Sequence, residues 1–416
     1  MLACLTVYAE DAARATPPRD PSVRSSRPSD PNQEPGHVTP VSSHAPHGQS
    51  PLRTVQVLGG GNAASGAHVR SLAAGLVARG VRVTVCAPEE AERAYGFTTV
   101  GAEHVHVPRS SDPASVAALR AACSGAGLVH AHGLHASFRT SLALGGRGTP
   151  FVVTWHDRAY AEGPRAHFLR VLERRVVRAA GVVLGTTSAL VDRARRSGAR
   201  DARLAAVSLP GPRSAPASEE SERRTPKVRA ELGAVDRPLI VAVGSLERHR
   251  GLDVLVDAAH AWQRLDPVPL VVIAGEGPLH GELRRAAEAR DLPVRLLGRR
   301  EDASDLIAAA DVAVLPSRRE EARSTFAQEA LHARVPLVAT RVGSVPELVG
   351  DAAELVPQGN ARALADAVTR LLADPEHRER LVRRGVRQAG TWPTEDQTVA
   401  QVLSVYDELT QPRPLA

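Results

Sequence analysis

Two glutamates, Glu321 and Glu329, mark the stretch of this chain with the most chemical content. It runs Leu315-Pro316-Ser317-Arg318-Arg319-Glu320-Glu321-Ala322-Arg323-Ser324-Thr325-Phe326-Ala327-Gln328-Glu329-Ala330. The apolar run before it reads as a strand, so Glu321 falls in a loop and Glu329 inside the helix that follows. A helix opening near Ser324 and Thr325 presents unpaired backbone N–H groups and the positive end of its dipole, which favours phosphate. One carboxylate can then accept hydrogen bonds from sugar hydroxyls and the other from a ribose. The same spacing also fits a solvated acidic loop followed by an ordinary helical glutamate, and the two residues alone do not choose between these readings.

The elements that must position such groups follow one rhythm. From Leu52 onward, short apolar runs alternate with longer amphipathic ones, the pattern of parallel βαβ units. Strands are predicted at Thr54–Leu58, Arg82–Cys86, Leu128–His132, Phe151–Thr154 and Val182–Gly185, with a glycine-rich loop at Gly59–Gly66. A second set is predicted at Leu239–Val243, Leu270–Ala274, Val294–Leu297, Val312–Leu315 and Leu337–Ala339. Between them, Pro210-Gly211-Pro212-Arg213-Ser214-Ala215-Pro216 and the polar run to Lys227 read as a linker. The fold class is therefore α/β, two doubly wound Rossmann-like domains. Their ligand is expected in the crevice beyond the carboxyl ends of the strands.

The expected organisation is an unstructured extension over 1–51, a first domain over 52–207 and a linker over 208–236. A second domain follows over 237–394, and a C-terminal helix over 395–416 packs back on the first. Residues 11–50 are rich in Pro, Ser, Arg and His and cannot bury enough apolar surface to offset chain entropy. A start at Val41 would join a short leader directly to the first strand.

Several motifs stand in a fixed order. Gly59-Gly60-Gly61-Asn62 precedes His68-Val69 and Leu72-Ala73, then Gly80-Val81-Arg82-Val83-Thr84-Val85. Val129-His130-Ala131-His132-Gly133 and Val153-Thr154-Trp155-His156-Asp157 follow. In the second half come Val243-Gly244-Ser245-Leu246, Arg250-Gly251-Leu252-Asp253, Ala274-Gly275-Glu276-Gly277, the glutamate pair, and Val342-Gly343-Ser344-Val345-Pro346-Glu347. Over roughly residues 52–390 this series resembles the family 4 retaining glycosyltransferases of the GT-B fold, of the actinobacterial, group 1 type.

The resemblance implies transfer of a hexose from a nucleotide-diphosphate sugar to a hydroxyl acceptor, a carbohydrate or a lipid-linked alcohol. It also implies front-face chemistry, in which the diphosphate departs and the acceptor attacks from the same side. It places Glu321 beside the donor sugar and Glu329 on the ribose. Gly60 and Gly61 approach the donor phosphates and the acceptor, while Gly275, Ser324 and Thr325 line the donor. His156 lies near the reaction centre, although a capping or core histidine would also fit that position.

One position departs from the family. An arginine usually follows the glycine matched by Gly244, and a lysine usually precedes the glycine matched by Gly251; together they neutralise the leaving diphosphate. Here the second is Arg250, which can do the same work bidentately. The first is Ser245, which carries no charge. Arg248, His249 or Arg299 would have to supply the second cation. Without one, the chain reads alternatively as a catalytically impaired nucleotide- or sugar-binding protein.

No Asp-x-Asp and no metal-spaced His/Cys cluster occurs along the sequence, so neither a metal nor another cofactor is expected. The three cysteines, Cys4, Cys86 and Cys123, are too scattered for a disulfide framework. The formal net charge is +6, almost all of its basic side being arginine. In a chain with abundant Ala, Gly and Pro this is partly a coding bias, and no pattern for nucleic-acid binding accompanies it. The helix at Pro164–Ala180 sets Arg165, Arg170, Arg174, Arg175 and Arg178 beside apolar residues. It could touch anionic lipid, or pack on its own sheet with a solvated basic face. No apolar run approaches the roughly 20 residues of a bilayer span, and a cytoplasmic location is expected.

Overall fold

The structure, a computed structural model, describes residues 51–59, 63–110, 112–157, 164–208, 219–319 and 324–411. The expectations for residues 1–50 lie outside this set, as do those that concern Gly60, Gly61 and Glu321. From Leu52 the chain forms one compact unit built on two parallel sheets.

The first sheet contains β1 (Arg53–Leu58), β2 (Arg82–Ala87), β3 (Glu103–His106), β4 (Leu128–His132), β5 (Phe151–Trp155), β6 (Val182–Gly185) and β7 (Ala202–Leu204). Its order is β3-β2-β1-β4-β5-β6-β7, all parallel. The second contains β8 (Leu239–Val243), β9 (Leu270–Ala274), β10 (Val294–Gly298), β11 (Val312–Leu315), β12 (Leu337–Thr340) and β13 (Ala353–Val356). Its order is β10-β9-β8-β11-β12-β13, again parallel. The order reverses between β1 and β4 and between β8 and β11, and such switch points open a crevice at the carboxyl ends.

Each sheet is covered on both faces. In the second, Ile240, Ala242, Val271 and Ile273 enter one core, and Leu239, Val241, Leu270 and Val272 enter the other. That is why β8 and β9 are continuous apolar runs without polar alternation. The last helix, Glu395–Thr410, returns to the first sheet. Its Val399, Val402, Val405 and Tyr406 join the core that holds Leu72, Leu76 and Val85. Thr394 caps it through a reciprocal bond with Gln397.

The stretch predicted as linker, 208–236, differs from that reading. Residues 219–232 form a helix, Glu219–Leu232, whose Val228 and Leu232 join the core of the second sheet. Two apolar contacts on an otherwise charged helix leave little periodicity to detect. Arg229 reinforces the docking with hydrogen bonds to Asp311 and to the carbonyls of Ala309 and Arg237.

Candidate active site

At the end of β8 the chain passes Gly244 and Ser245 and reaches Arg250 through a short 3-10 turn, Arg248–Arg250. Arg250 Nε donates to Ser245 Oγ at 3.3 Å. The serine thus orients the guanidinium that the sequence singled out. Two glycines let the neighbouring loops close over this point. Gly251 has φ 66°, and a Cβ there would collide with the Pro316 carbonyl, which follows β11. Gly275 has φ 145°, and a Cβ there would run into the Gly244 carbonyl. The position of Gly275 is thereby explained by the close approach of the loops after β8 and β9.

The helix Thr325–His332 opens from the β11 loop. Ser324 is its N-cap, the side chain accepting from the Ala327 N–H, and Thr325 is exposed on the first turn. Glu329 is half-buried on the same helix. Its carboxylate has no hydrogen bond or ion pair among the described residues, and desolvation pushes its pKa above the ordinary value. An unpaired, partly desolvated carboxylate costs stability unless a ligand uses it.

The candidates for a second cation are placed differently. Arg248 lies 3.6 Å from Glu282 and His249 Nδ1 lies 3.0 Å from Glu247, both pairs largely exposed. Arg299 is exposed just beyond β10 and has no ion pair among the described residues.

In the first half, His156 follows β5 and is buried. Burial pushes the carboxyl of its neighbour Asp157 up, and the positive charge of Arg250 works against that shift. Arg250, from the second sheet, and the His156-Asp157 corner, from the first, therefore lie close enough to interact electrostatically. Glu347 fastens the halves elsewhere, accepting from Ser188 N at 3.2 Å and Ser188 Oγ at 2.6 Å at the start of the helix Ser188–Arg196.

His156 also ends a buried polar chain that the sequence reading did not foresee. Its Nε2 lies 3.3 Å from His132 Nδ1, and His132 Nε2 lies 3.0 Å from Gln56 Oε1. Gln56 Nε2 donates to the Tyr406 hydroxyl at 2.9 Å, which lies 2.8 Å from His130 Nδ1. His130 Nε2 closes the chain on Thr154 Oγ1 at 2.7 Å. With the Gln56 oxygen turned to His132, that ring carries its proton on Nε2 and offers the Nδ1 lone pair to His156. Burial holds the imidazoles neutral: His68 falls to about 4 and His130 to about 3. His132 and His156 are lowered well below the usual histidine value, by burial first and by neighbouring rings second. The only sequence signal for this chain was the alternation His130-Ala131-His132 inside an apolar strand.

Comparison with known proteins shows the family and the fold. The glycosyl transferase 4-like domain matches residues 64–210, and the glycosyl transferases group 1 domain matches residues 224–388. The alpha-D-kanosaminyltransferase of Streptomyces kanamyceticus is 31% identical over 280 residues, 63% of this chain and 71% of that protein. The D-inositol 3-phosphate glycosyltransferase of Corynebacterium glutamicum (strain R) is 31% identical over 263 residues, 60% of this chain and 62% of that protein. The crystal structure of Anabaena Alr3699/HepE in complex with UDP superposes with a TM-score of 0.72 at 18% identity, covering 86% of this chain and 100% of that one, a likeness of fold. Two Rossmann-like halves of GT-B type with these matches define a sugar-transferring enzyme. The chain belongs to the group 1 glycosyl transferases. Among the described residues no helix is long and apolar enough to cross a membrane.

Proposed function

We propose that this enzyme transfers a hexose, with retention and without a required metal ion, from a nucleotide-diphosphate sugar to the hydroxyl of a sugar or lipid-linked acceptor. The observation that carries the reading is Arg250, braced by Ser245, whose charge reaches Asp157 of the opposite half. A cation in that crevice is where a leaving diphosphate needs one. The N-terminus of the helix Thr325–His332 adds unpaired N–H donors for the same phosphates. Glu329 accepts from the donor ribose and Glu321 holds the sugar. His156 lies beside the reacting carbon, and Gly60 and Gly61 are assigned to the phosphates and the acceptor.

As the diphosphate departs, negative charge grows on its oxygens and positive charge on the sugar. Arg250 and the helix N-terminus meet the first; the carboxylates and neutral imidazole nearby suit the second. The acceptor attacks from the face the diphosphate leaves. Thermal-shift measurements with a panel of nucleotide sugars test the donor: a rise in Tm with at least one of them is expected, and no response to any would remove the reading.

Ser245 supports a second reading, a binding protein of reduced turnover, because one of two expected cations is missing. A peripheral lipid contact is also part of the proposal. The helix Pro164–Ala179 packs inward through Leu172, Val176 and Val177, yet leaves Phe168 61% and Val171 49% exposed among its arginines. Phe168→Glu is expected to reduce sedimentation with anionic vesicles, and equal sedimentation would dismiss the contact.

A further inference from the structure

His68 is the one imidazole of the buried group that the hydrogen-bonded chain omits. It projects from the first helix, Ala63–Ala78, and is 2% exposed. It has no hydrogen-bond partner among the described residues, although it lies edge-on to two other rings. Its ring centroid is 5.6 Å from that of His132 and 5.0 Å from that of His156, and those two are 5.5 Å apart. One ring nitrogen from each of the three falls within 4.8 Å of the others.

Those spacings match a common centre. A zinc–imidazole bond is about 2.0–2.1 Å, so two nitrogens on a tetrahedral ion stand about 3.3 Å apart and their ring centroids about 5 Å apart. The His132 Nδ1 to His156 Nε2 separation is already 3.3 Å. A rotation of the unbonded His68 ring closes the remainder. The supporting shell is present as well: histidine ligands usually donate their second N–H to an oxygen, which fixes ring and tautomer. His132 Nε2 does so to Gln56 Oε1, and Gln56 is itself held by Tyr406. Neutral imidazoles have free lone pairs, and the low pKa values of these rings keep them available.

We propose that His68, His132 and His156 form a site for a divalent first-row transition-metal ion, zinc foremost, and that its occupancy withdraws His156 from the donor and suppresses transfer. On binding, the proton shared between His156 Nε2 and His132 Nδ1 moves to His156 Nδ1, so that both facing lone pairs reach the ion and no proton is lost. Three nitrogens leave the fourth position to water. The ion is not needed for the reaction; it competes with it. The suppression rests on the role given to His156 under Proposed function, whereas the site itself does not.

The test uses the full chain freed of metal with a chelator. Cobalt(II) is titrated and the visible spectrum read, with no donor present. One equivalent giving the strong bands of four- or five-coordinate cobalt is expected. His68→Phe and His132→Phe should each weaken binding at least about 100-fold, and Gln56→Leu about 10–100-fold. His104→Ala, which alters a histidine outside the group, should leave it unchanged. X-ray absorption of the zinc-loaded wild type needs no variant: it should show three imidazole nitrogens at about 2.0 Å. Only pale, six-coordinate cobalt, or binding indifferent to both phenylalanine variants, would overturn the site. In the activity arm, one equivalent of zinc should slow nucleoside-diphosphate release at least tenfold, reversed by chelator. An unchanged rate with the cobalt spectrum present overturns the suppression alone. Absence of any release in metal-free protein would count against the proposed function, and the spectrum would still decide the site.

Discussion

Arg250 Nε donates to Ser245 Oγ across 3.3 Å, so the residue that lacks the expected charge is tied to the one that retains it. The serine replaces a charge with an orienting contact. In the proposed reaction the leaving diphosphate carries at least two negative charges, of which Arg250 would meet one. Arg299, exposed beyond β10 and free of ion pairs among the described residues, is the candidate for the second cation that no carboxylate neutralises. Arg248 instead leans on Glu282. Arg299→Ala is expected to lower turnover by about 10²-fold, the size of one lost electrostatic donor, and Arg248→Ala far less. Ser245→Arg should raise donor affinity. Steady-state kinetics of the three variants check this, and equal rates throughout would show that the second charge lies elsewhere.

Glu329 gives a separable prediction. Its carboxylate is partly desolvated and has no partner among the described residues, so on the proposed reading a ribose hydroxyl would gain a charged hydrogen bond there. Glu329→Ala should weaken nucleoside-diphosphate binding by about 1.5–3 kcal/mol. Because desolvation raises its pKa, the ligand's hold should fade on acidification before an ordinary glutamate would protonate, and Glu329→Gln should flatten that dependence. Calorimetric titration across the acidic range reads both.

The buried imidazoles set the acid limit of stability in metal-free protein. His68 and His130 titrate near 4 and 3 when folded, against 6.5 when unfolded. The unfolded chain therefore binds more protons between these values, and stability falls as pH drops. Their contribution is complete above about pH 6.5 and is lost on descending through 4 toward 3. Within that window each such group adds a slope of about 1.4 kcal/mol per pH unit. His68→Phe should remove its share between 6.5 and 4, as followed by chemical denaturation at stepped pH.

The inner strands were legible because a parallel sheet buried on both faces demands unbroken apolar runs, as in Leu270–Ala274. Of the four edge strands only Val294–Gly298 was legible, as Val294–Leu297; the other three were not. Glu103–His106 and Ala353–Val356 are partly exposed and mix charged with apolar residues, and Ala202–Leu204 is three residues long. The places of Arg250 and Glu329 in the fold followed from motif order, since each lies directly beyond an inner strand or its loop. The histidine group was not, because His68, His132 and His156 come from a helix, a strand end and a loop that only the closed sheet brings together.

The most direct test of the central claim is release of nucleoside diphosphate from a mixture of nucleotide sugars, in the presence of chelator. Wild type is compared with Arg250→Ala. The account predicts release by the wild type without added metal, and a loss of about 10²–10³-fold in the variant. Release that requires a metal ion, or that is equal in the two proteins, would contradict it.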